Sequence, residues 1–290
     1  MSIAPERSQL VLRMMQRALL TLSSGQQAES VHSFRTTSRR LQTLLEEVIP
    51  DHGRNETKLL KMLDRIRKRA GKVRDLDVQL AALRSLKVPQ EPRRKTQLMH
   101  GLIELRVKHE KKLRKLLDRH TIQEIRKRLK RASKELEPET SRDALTVART
   151  MLAQVVRPAG PVTEELLHRY RIVVKRARYA AEFAPKSAEA AHFISQLKRL
   201  QDAVGNWHDW LTLENTAAKR LGDVNQSSLV AALHNVTGGK FRQAVAALSA
   251  SSTIQTPTTQ TPVKAVPVAS ERSRRLGTKS SSSAGTQTAA

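Results

Sequence analysis

VHSFRTTSRRLQTLL (Val31–Leu45) and LHRYRIVVKRARYAA (Leu167–Ala181) share one pattern: an apolar residue, His, two residues, Arg, three residues, then two basic residues. A second pair of landmarks follows each of them in the same order, GKVRDLDV from Gly71 and GNWHDWLT from Gly205. The histidines are 136 residues apart and the glycines 134. Two landmarks repeated at nearly one separation indicate an internal duplication with two similar helical halves.

On a helix with His32 at zero, Arg35 and Arg39 fall at about 300° and 340°, while Phe34, Leu41, Leu44, Leu45 and Val48 fall at about 120–220°. In the second stretch His168, Arg171, Lys175 and Arg178 occupy the first sector, and Tyr170, Val173, Ala177, Ala181 and Ala184 the opposite one. Each stretch thus predicts a helix with an apolar back and a basic front, and neither front carries an acid of its own. Arg presents a planar fork of donors to phosphate oxygens, Lys a mobile point charge, and His a donor that becomes cationic beside an anion. Such a row matches a linear chain of phosphates better than a single small ligand.

The rest of the chain reads the same way. Apolar residues recur at three-and-four spacing over 7–22, 30–48, 56–86, 94–118, 121–136, 140–157, 162–184, 188–220 and 226–248. Pro50, Pro89, Pro92, Pro138, Pro158, Pro161 and Pro185 punctuate these stretches, and no convincing alternating strand occurs. Aromatics make up only 3% of 290 residues, so the core must come from Leu, Ile, Val and Ala, which suits helix bundles. The expectation is an all-α domain over 1–250, with halves at 7–136 and 140–248. From Ser251 onward Ser, Thr, Gln, Pro and Ala prevail, and this 251–290 tail is expected to be disordered.

Charge narrows the function. The net charge is +26; the tail holds five basic residues and one acidic one, so the first 250 residues carry +22. The body itself is the basic object, suited to nucleic acid, an acidic surface or polyphosphate. The longest basic run, over 106–131, has 12 basic residues spread around helices, either a solvated face or an outer patch for nucleic acid or the same polyanion. Cys is absent, which excludes disulfides, thiolate metal sites and Cys nucleophiles. No apolar run approaches a membrane span and the N-terminus lacks a signal core, so membrane insertion is not expected and a cytoplasmic location is. No phosphate loop, metal-ligand histidine pair or catalytic constellation is visible, so no enzyme activity, cofactor or metal is expected. Asp75, Asp77 and Asp209 suit pairing with nearby arginines at a bundle interface better than binding a divalent ion. Asp202 reads as structural, and mid-helix Gly71 and Gly205 suggest close backbone packing.

Together, His32-x-x-Arg35-x-x-x-Arg39-Arg40, Gly71-Lys-Val-Arg-Asp-Leu-Asp77, His168-x-x-Arg171-x-x-x-Lys175-Arg176-x-Arg178-Tyr179 and Leu200-Gln-Asp-Ala-Val-Gly205 with Asp209 resemble the CHAD domain, the conserved histidine α-helical domain, over about 7–248. The resemblance implies a pseudo-twofold pair of helical bundles around a basic central channel that binds inorganic polyphosphate, in proteins associated with polyphosphate granules. Some members carry a fused triphosphatase domain; none is expected here. Carried over, the resemblance and the basic fronts make His32, Arg35, Arg39, Arg40, His168, Arg171, Lys175, Arg176, Arg178 and Lys198 the polyphosphate-binding candidates. The halves depart from each other where Lys198 stands opposite Asp64, and His208-Asp209-Trp210 opposite Arg74-Asp75-Leu76. The alternative is a chromatin-organising protein that binds nucleic acid without sequence preference; the near absence of stacking aromatics in the basic stripes weighs against single-strand binding.

Overall fold

Proline at N1 and side-chain caps open most of the helices, and the chain between them is short. The computed structural model describes residues 5–88, 91–136, 141–155, 160–222 and 224–251, all within one unit that ends at Thr256. Of the expected tail, 251–290, all but Ser251 lies outside the described residues. The described residues form nine α-helices: α1 (Pro5–Ser24), α2 (Ala28–Thr43), α3 (Arg54–Ser85), α4 (Pro92–Arg114), α5 (Arg119–Glu135), α6 (Ala144–Ala153), α7 (Glu164–Ala181), α8 (Ala188–Leu221) and α9 (Ser228–Ala250). No strand occurs among them. Asp118, Asp143, Thr163, Ser187 and Ser227 cap α5 to α9 by accepting from the backbone N–H three residues on. Gly222, at φ +88°, closes α8 in a backbone conformation that glycine adopts without strain.

α2 ends in a π-helical turn, Leu44–Val48, in which the N–H of Ile49 reaches back five residues to the carbonyl of Leu44 at 2.8 Å. Apolar periodicity foresees a plain helix here. The wider turn keeps Leu44, Leu45 and Val48 all buried.

α3 and α8 are the longest helices, at 32 and 34 residues, and both run through two separate apolar cores. The larger core gathers α1, α2, α5, α6 and α7 around the first half of α3 and much of α8, with Phe34, Tyr170 and Trp207 as its largest fully buried members. The smaller packs the second halves of α3 and α8, through Leu76, Leu80, Leu83, Leu213 and Ala217, against α4 and α9. Glu91 joins α4 to α9, accepting from the N–H of Leu229 at 3.0 Å and from the hydroxyl of Ser227 at 2.8 Å. α2 packs on α3 and α7 on α8, while α2 also touches α7 and α3 touches α8. Four helices therefore meet side by side, and the basic fronts of α2 and α7 are turned into their meeting place.

Candidate functional site

Apolar backs pin α2 and α7 to the larger core: Phe34, Leu41, Tyr170 and Ala177 are fully or almost fully buried. That packing leaves the opposite sector of each helix facing a cavity of about 430 Å³. His32, Arg35, Thr36 and Arg39 line it from α2, and Arg171, Lys175 and Tyr179 from α7. α3 adds Arg74, Asp75 and Val78; α8 adds Gln201, Asp202, Gly205, Asn206 and Asp209. Five cationic side chains thus face three carboxylates.

The ten candidate residues divide into groups. His32, Arg35, Arg39, Arg171 and Lys175 share the cavity wall. His168 is exposed and stands outside that wall, its ring 5.3 Å from that of His208. Arg40 and Arg178 both turn to the carboxylate of Glu182, Arg40 Nε at 2.7 Å from Oε2, and they flank the ring of Tyr179. Arg178 also donates to Gln201 Oε1 at 2.8 Å. Arg176 pairs with Glu47 of the π turn and borders a neighbouring hollow shared with Arg39, Lys175 and Tyr179. Lys198 pairs with Asp202 at 2.8 Å, both more than half exposed, and it is Asp202 that reaches the cavity.

The basic fronts are therefore not free of acid, as their own sequences suggest. Glu182, Glu47 and Asp202 arrive from the end of α7, the π turn and the same face of α8 to hold Arg40, Arg178, Arg176 and Lys198. The aspartates of the two glycine segments also separate. Asp77 is nearly buried and pairs with Arg106 of α4 at 2.6 Å, the interface role expected of it. Asp75 and Asp209 instead stand in the cavity wall.

The glycines differ as well. A Cβ on Gly71 would collide with the guanidinium of Arg35, which lies across this bare stretch of α3 and donates from Nη1 to the carbonyl of Arg67 at 3.0 Å. Gly205 has nothing near the place of its missing Cβ and simply opens the wall. Close backbone packing is not the reason for either: one admits a side chain, the other widens a cavity.

Crowded like charges set the electrostatics. Burial, and then the nearby Arg171, Arg39 and Arg35, push the Lys175 ammonium down to about 8 against the opposing pull of Asp209. Burial likewise lowers the guanidinium of Arg35, with Asp75 opposing and Arg39, Arg67 and Arg171 adding to the fall. Burial pushes Asp209 up, opposed by Arg171 and Lys175 and reinforced by Asp75. His208 falls to about 4 through burial and then the charge of Arg171, so it is neutral at pH 7. Its Nδ1 is buried without a hydrogen-bond partner, and so is Nε of Arg171.

Sequence reasoning left Arg74, Asp75, Asp209, Tyr179, Gln201 and Asn206 out of the site. For Asp75 and Asp209 a signal existed: each follows its glycine by four residues, one helical turn, and so shares its face. Among the described residues no cluster of three or more His, Asp or Glu is placed to hold a metal ion. No helix among them is long and apolar enough to cross a membrane.

Comparison with known proteins finds both a family model and solved structures. The family model of the CHAD domain matches residues 8–218. The crystal structure of the CHAD domain from the plant Ricinus communis is similar in fold, with a TM-score of 0.55 at 17% identity, over 86% of this chain and 85% of that one. No curated protein matches.

Proposed function

This chain belongs to the CHAD domain family, and from that premise we propose that its cavity binds inorganic polyphosphate without turning it over. The observation that carries the reading is the convergence of Arg35, Arg39, Arg74, Arg171 and Lys175, from α2, α3 and α7, on one narrow space. Held together, these cations repel one another: burial lowers Lys175 first, and then Arg171, Arg39 and Arg35 lower it further. An anion placed among them relieves that repulsion and gains charge-assisted hydrogen bonds. A flexible chain of phosphates can thread between the walls; a nucleic-acid duplex is too wide. Asp75 and Asp209 temper the field: Asp75 faces Arg35 and Asp209 faces Lys175, each acid opposing the shift of its cation.

The repeat in the sequence supports the same reading. Aligning the repeats pairs α2 with α7 and α3 with α8, so Arg35 answers to Arg171, Arg39 to Lys175 and Asp75 to Asp209 across the cavity. We infer a pseudo-twofold axis through a basic channel, in which one polyphosphate chain touches both stripes and the second contact becomes intramolecular. The role that follows is a scaffold or adaptor at cytoplasmic polyphosphate granules.

Calorimetric titration of the full chain with long-chain polyphosphate tests this. Saturable binding is expected, and Arg171→Glu with Lys175→Glu should weaken it about a hundredfold or more, since charge-assisted bonds contribute about 1.5–3 kcal/mol each. Binding unchanged in that variant and in Arg35→Glu with Arg39→Glu overturns the assignment. Phosphate release by the pure protein, abolished by Asp209→Asn, would overturn binding without turnover.

A further inference from the structure

The basic run over 106–131 contributes little to the cavity, yet its α4 portion meets a second set of cations across the helix interface. α3 and α4 pack together along much of their length. Arg65, Arg69 and Lys72 recur along α3 at four and three residues, all exposed, and Lys108 and Lys112 are exposed one turn apart on α4. Between them lies His109, half-buried, with an Nδ1 that finds no hydrogen-bond partner. Burial lowers its pKa first, and then Lys72, Lys112, Lys108 and Arg69 lower it further, so these side chains form one field around it. On α3 these cations are centred about 135° away from Gly71, Arg74, Asp75 and Val78, so they face away from the cavity.

Most acids beside this surface are already engaged, and Glu104, exposed one turn before Lys108, pairs with none of these cations. Asp64 holds Arg67 and Lys68, while Asp77 and Glu110 both hold Arg106. Among the described residues Arg65, Arg69, Lys72, Lys108 and Lys112 enter no ion pair.

We propose that this α3–α4 surface is a second anion site, separate from the cavity, which takes the phosphate backbone of a nucleic-acid duplex without reading its sequence. From Arg65 to Lys72 the helix advances about 10.5 Å, and a duplex carries one charge per about 1.7 Å of its axis, or about six over that length. Five cations are therefore matched in density to what a duplex presents. The surface is open and one-sided, so it suits a rigid polyanion that lies down without losing much conformational freedom; a flexible phosphate chain is better held by groups converging from several sides. It offers no Phe, Tyr or Trp ring, which disfavours single strands. Lysine and arginine reaching phosphates carry no base information, hence the lack of sequence preference. With polyphosphate in the cavity and a duplex on this surface, one chain would bridge the two polymers.

The test uses the full chain and a fluorescent duplex DNA of arbitrary sequence, read by anisotropy across a salt series. Arg69→Glu, Lys72→Glu, Lys108→Glu and Lys112→Glu combined should weaken duplex binding about tenfold or more and flatten the slope of log affinity against log salt by about 3–4. The same four positions changed to Gln guard against a folding defect in the reversed variant, and thermal melting checks both. Arg171→Glu with Lys175→Glu should leave duplex binding near wild type, and saturating polyphosphate should leave a ternary complex. Reversal of four exposed α5 cations, Arg126, Lys127, Lys130 and Arg131, should cost clearly less. Wild-type duplex affinity in the folded patch variants overturns the proposal. So does an equal loss in the α5 control, a patch variant that loses polyphosphate instead of duplex, or one-for-one displacement of duplex by polyphosphate. Because duplex binding is read alone, a failure of polyphosphate to bind the cavity leaves this result legible.

Discussion

The α2 and α7 walls of the cavity begin from one motif and finish differently. On α2, Arg35 lies across bare Gly71 and donates to a carbonyl of α3, so its guanidinium is both wall and tie. On α7, the corresponding Arg171 makes no such crossing: Gly205 stays open and Nε of Arg171 has no partner. Arg39 is answered by Lys175, pushed down to about 8, and Arg74 by His208, pushed down to about 4. The α2 wall is braced by that tie, whereas the α7 wall lacks it and carries the lowered Lys175 where α2 carries Arg39. Both stripes begin from the same sequence motif, and the α3 and α8 residues behind them tie one stripe down through Arg35 and leave the other without that tie.

Reversing charge on the two walls should sharpen that contrast most. Arg171→Glu with Lys175→Glu and Arg35→Glu with Arg39→Glu should each lower polyphosphate affinity about a hundredfold or more, but only the α2 pair should also lower the melting temperature, because only Arg35 ties two helices. Equal melting temperatures would break the distinction between a braced and an unbraced wall.

The glycines give the next largest effect. Gly205→Ala meets nothing and should stabilise α8 by about 0.5–1 kcal/mol. Gly71→Ala drives Arg35 off the carbonyl of Arg67, so the same helix-propensity gain should be cancelled or reversed. Melting curves of the two variants decide it, and matching upward shifts would show that Arg35 is not held as described.

pH separates the walls more gently. Below about pH 8 the folded and unfolded chains both keep the Lys175 proton, and the fold bears the cost of that crowded charge. Between about 8 and the usual 10.5 the unfolded chain holds a proton that the folded chain has released, so this lysine makes stability rise with pH there. Polyphosphate draws the proton back, so its affinity should fall as pH rises above about 8. Lys175→Arg, which copies Arg39, should flatten both profiles; if the wild-type profiles are already flat, Lys175 is not the responsive group.

His208→Arg should have the smallest effect. It copies Arg74 and adds a charge where the wild type is neutral at pH 7, so polyphosphate affinity measured at pH 7.5 should rise a few-fold. No gain, with the fold intact, would mean that His208 lies outside the reach of the bound chain.

Much of this was legible in the chain itself. Apolar periodicity and proline punctuation placed all nine helices to within a few residues at most ends, because burying one stripe of Leu, Val and Ala per helix is a local pattern. The same periodicity predicted which sides of α2 and α7 are apolar, and Phe34, Leu41, Tyr170 and Ala177 are buried as it requires. The repeat of His, Arg and Gly at nearly one offset pointed to α2, α3, α7 and α8, the four helices whose residues line the cavity. The π turn left no trace, since Leu44, Leu45 and Val48 are apolar in either winding.

Which cations line the cavity was decided only by the tertiary structure. Helical spacing places Arg39 and Arg40, or Lys175 and Arg176, on neighbouring sectors of one helix, and cannot say what the next helix sets against them. Long, flexible side chains choose among partners, most of them brought from far along the chain: Glu182, one turn after Arg178, also took Arg40, Glu47 took Arg176, and Arg67 offered a carbonyl to Arg35. Asp75 and Asp209 joined the cavity for the same reason, while Asp77, two residues from Asp75, was drawn into an ion pair with α4. Burial of an apolar stripe is a property of one helix, but the neutralisation of a charge belongs to the pair of helices that the fold brings together.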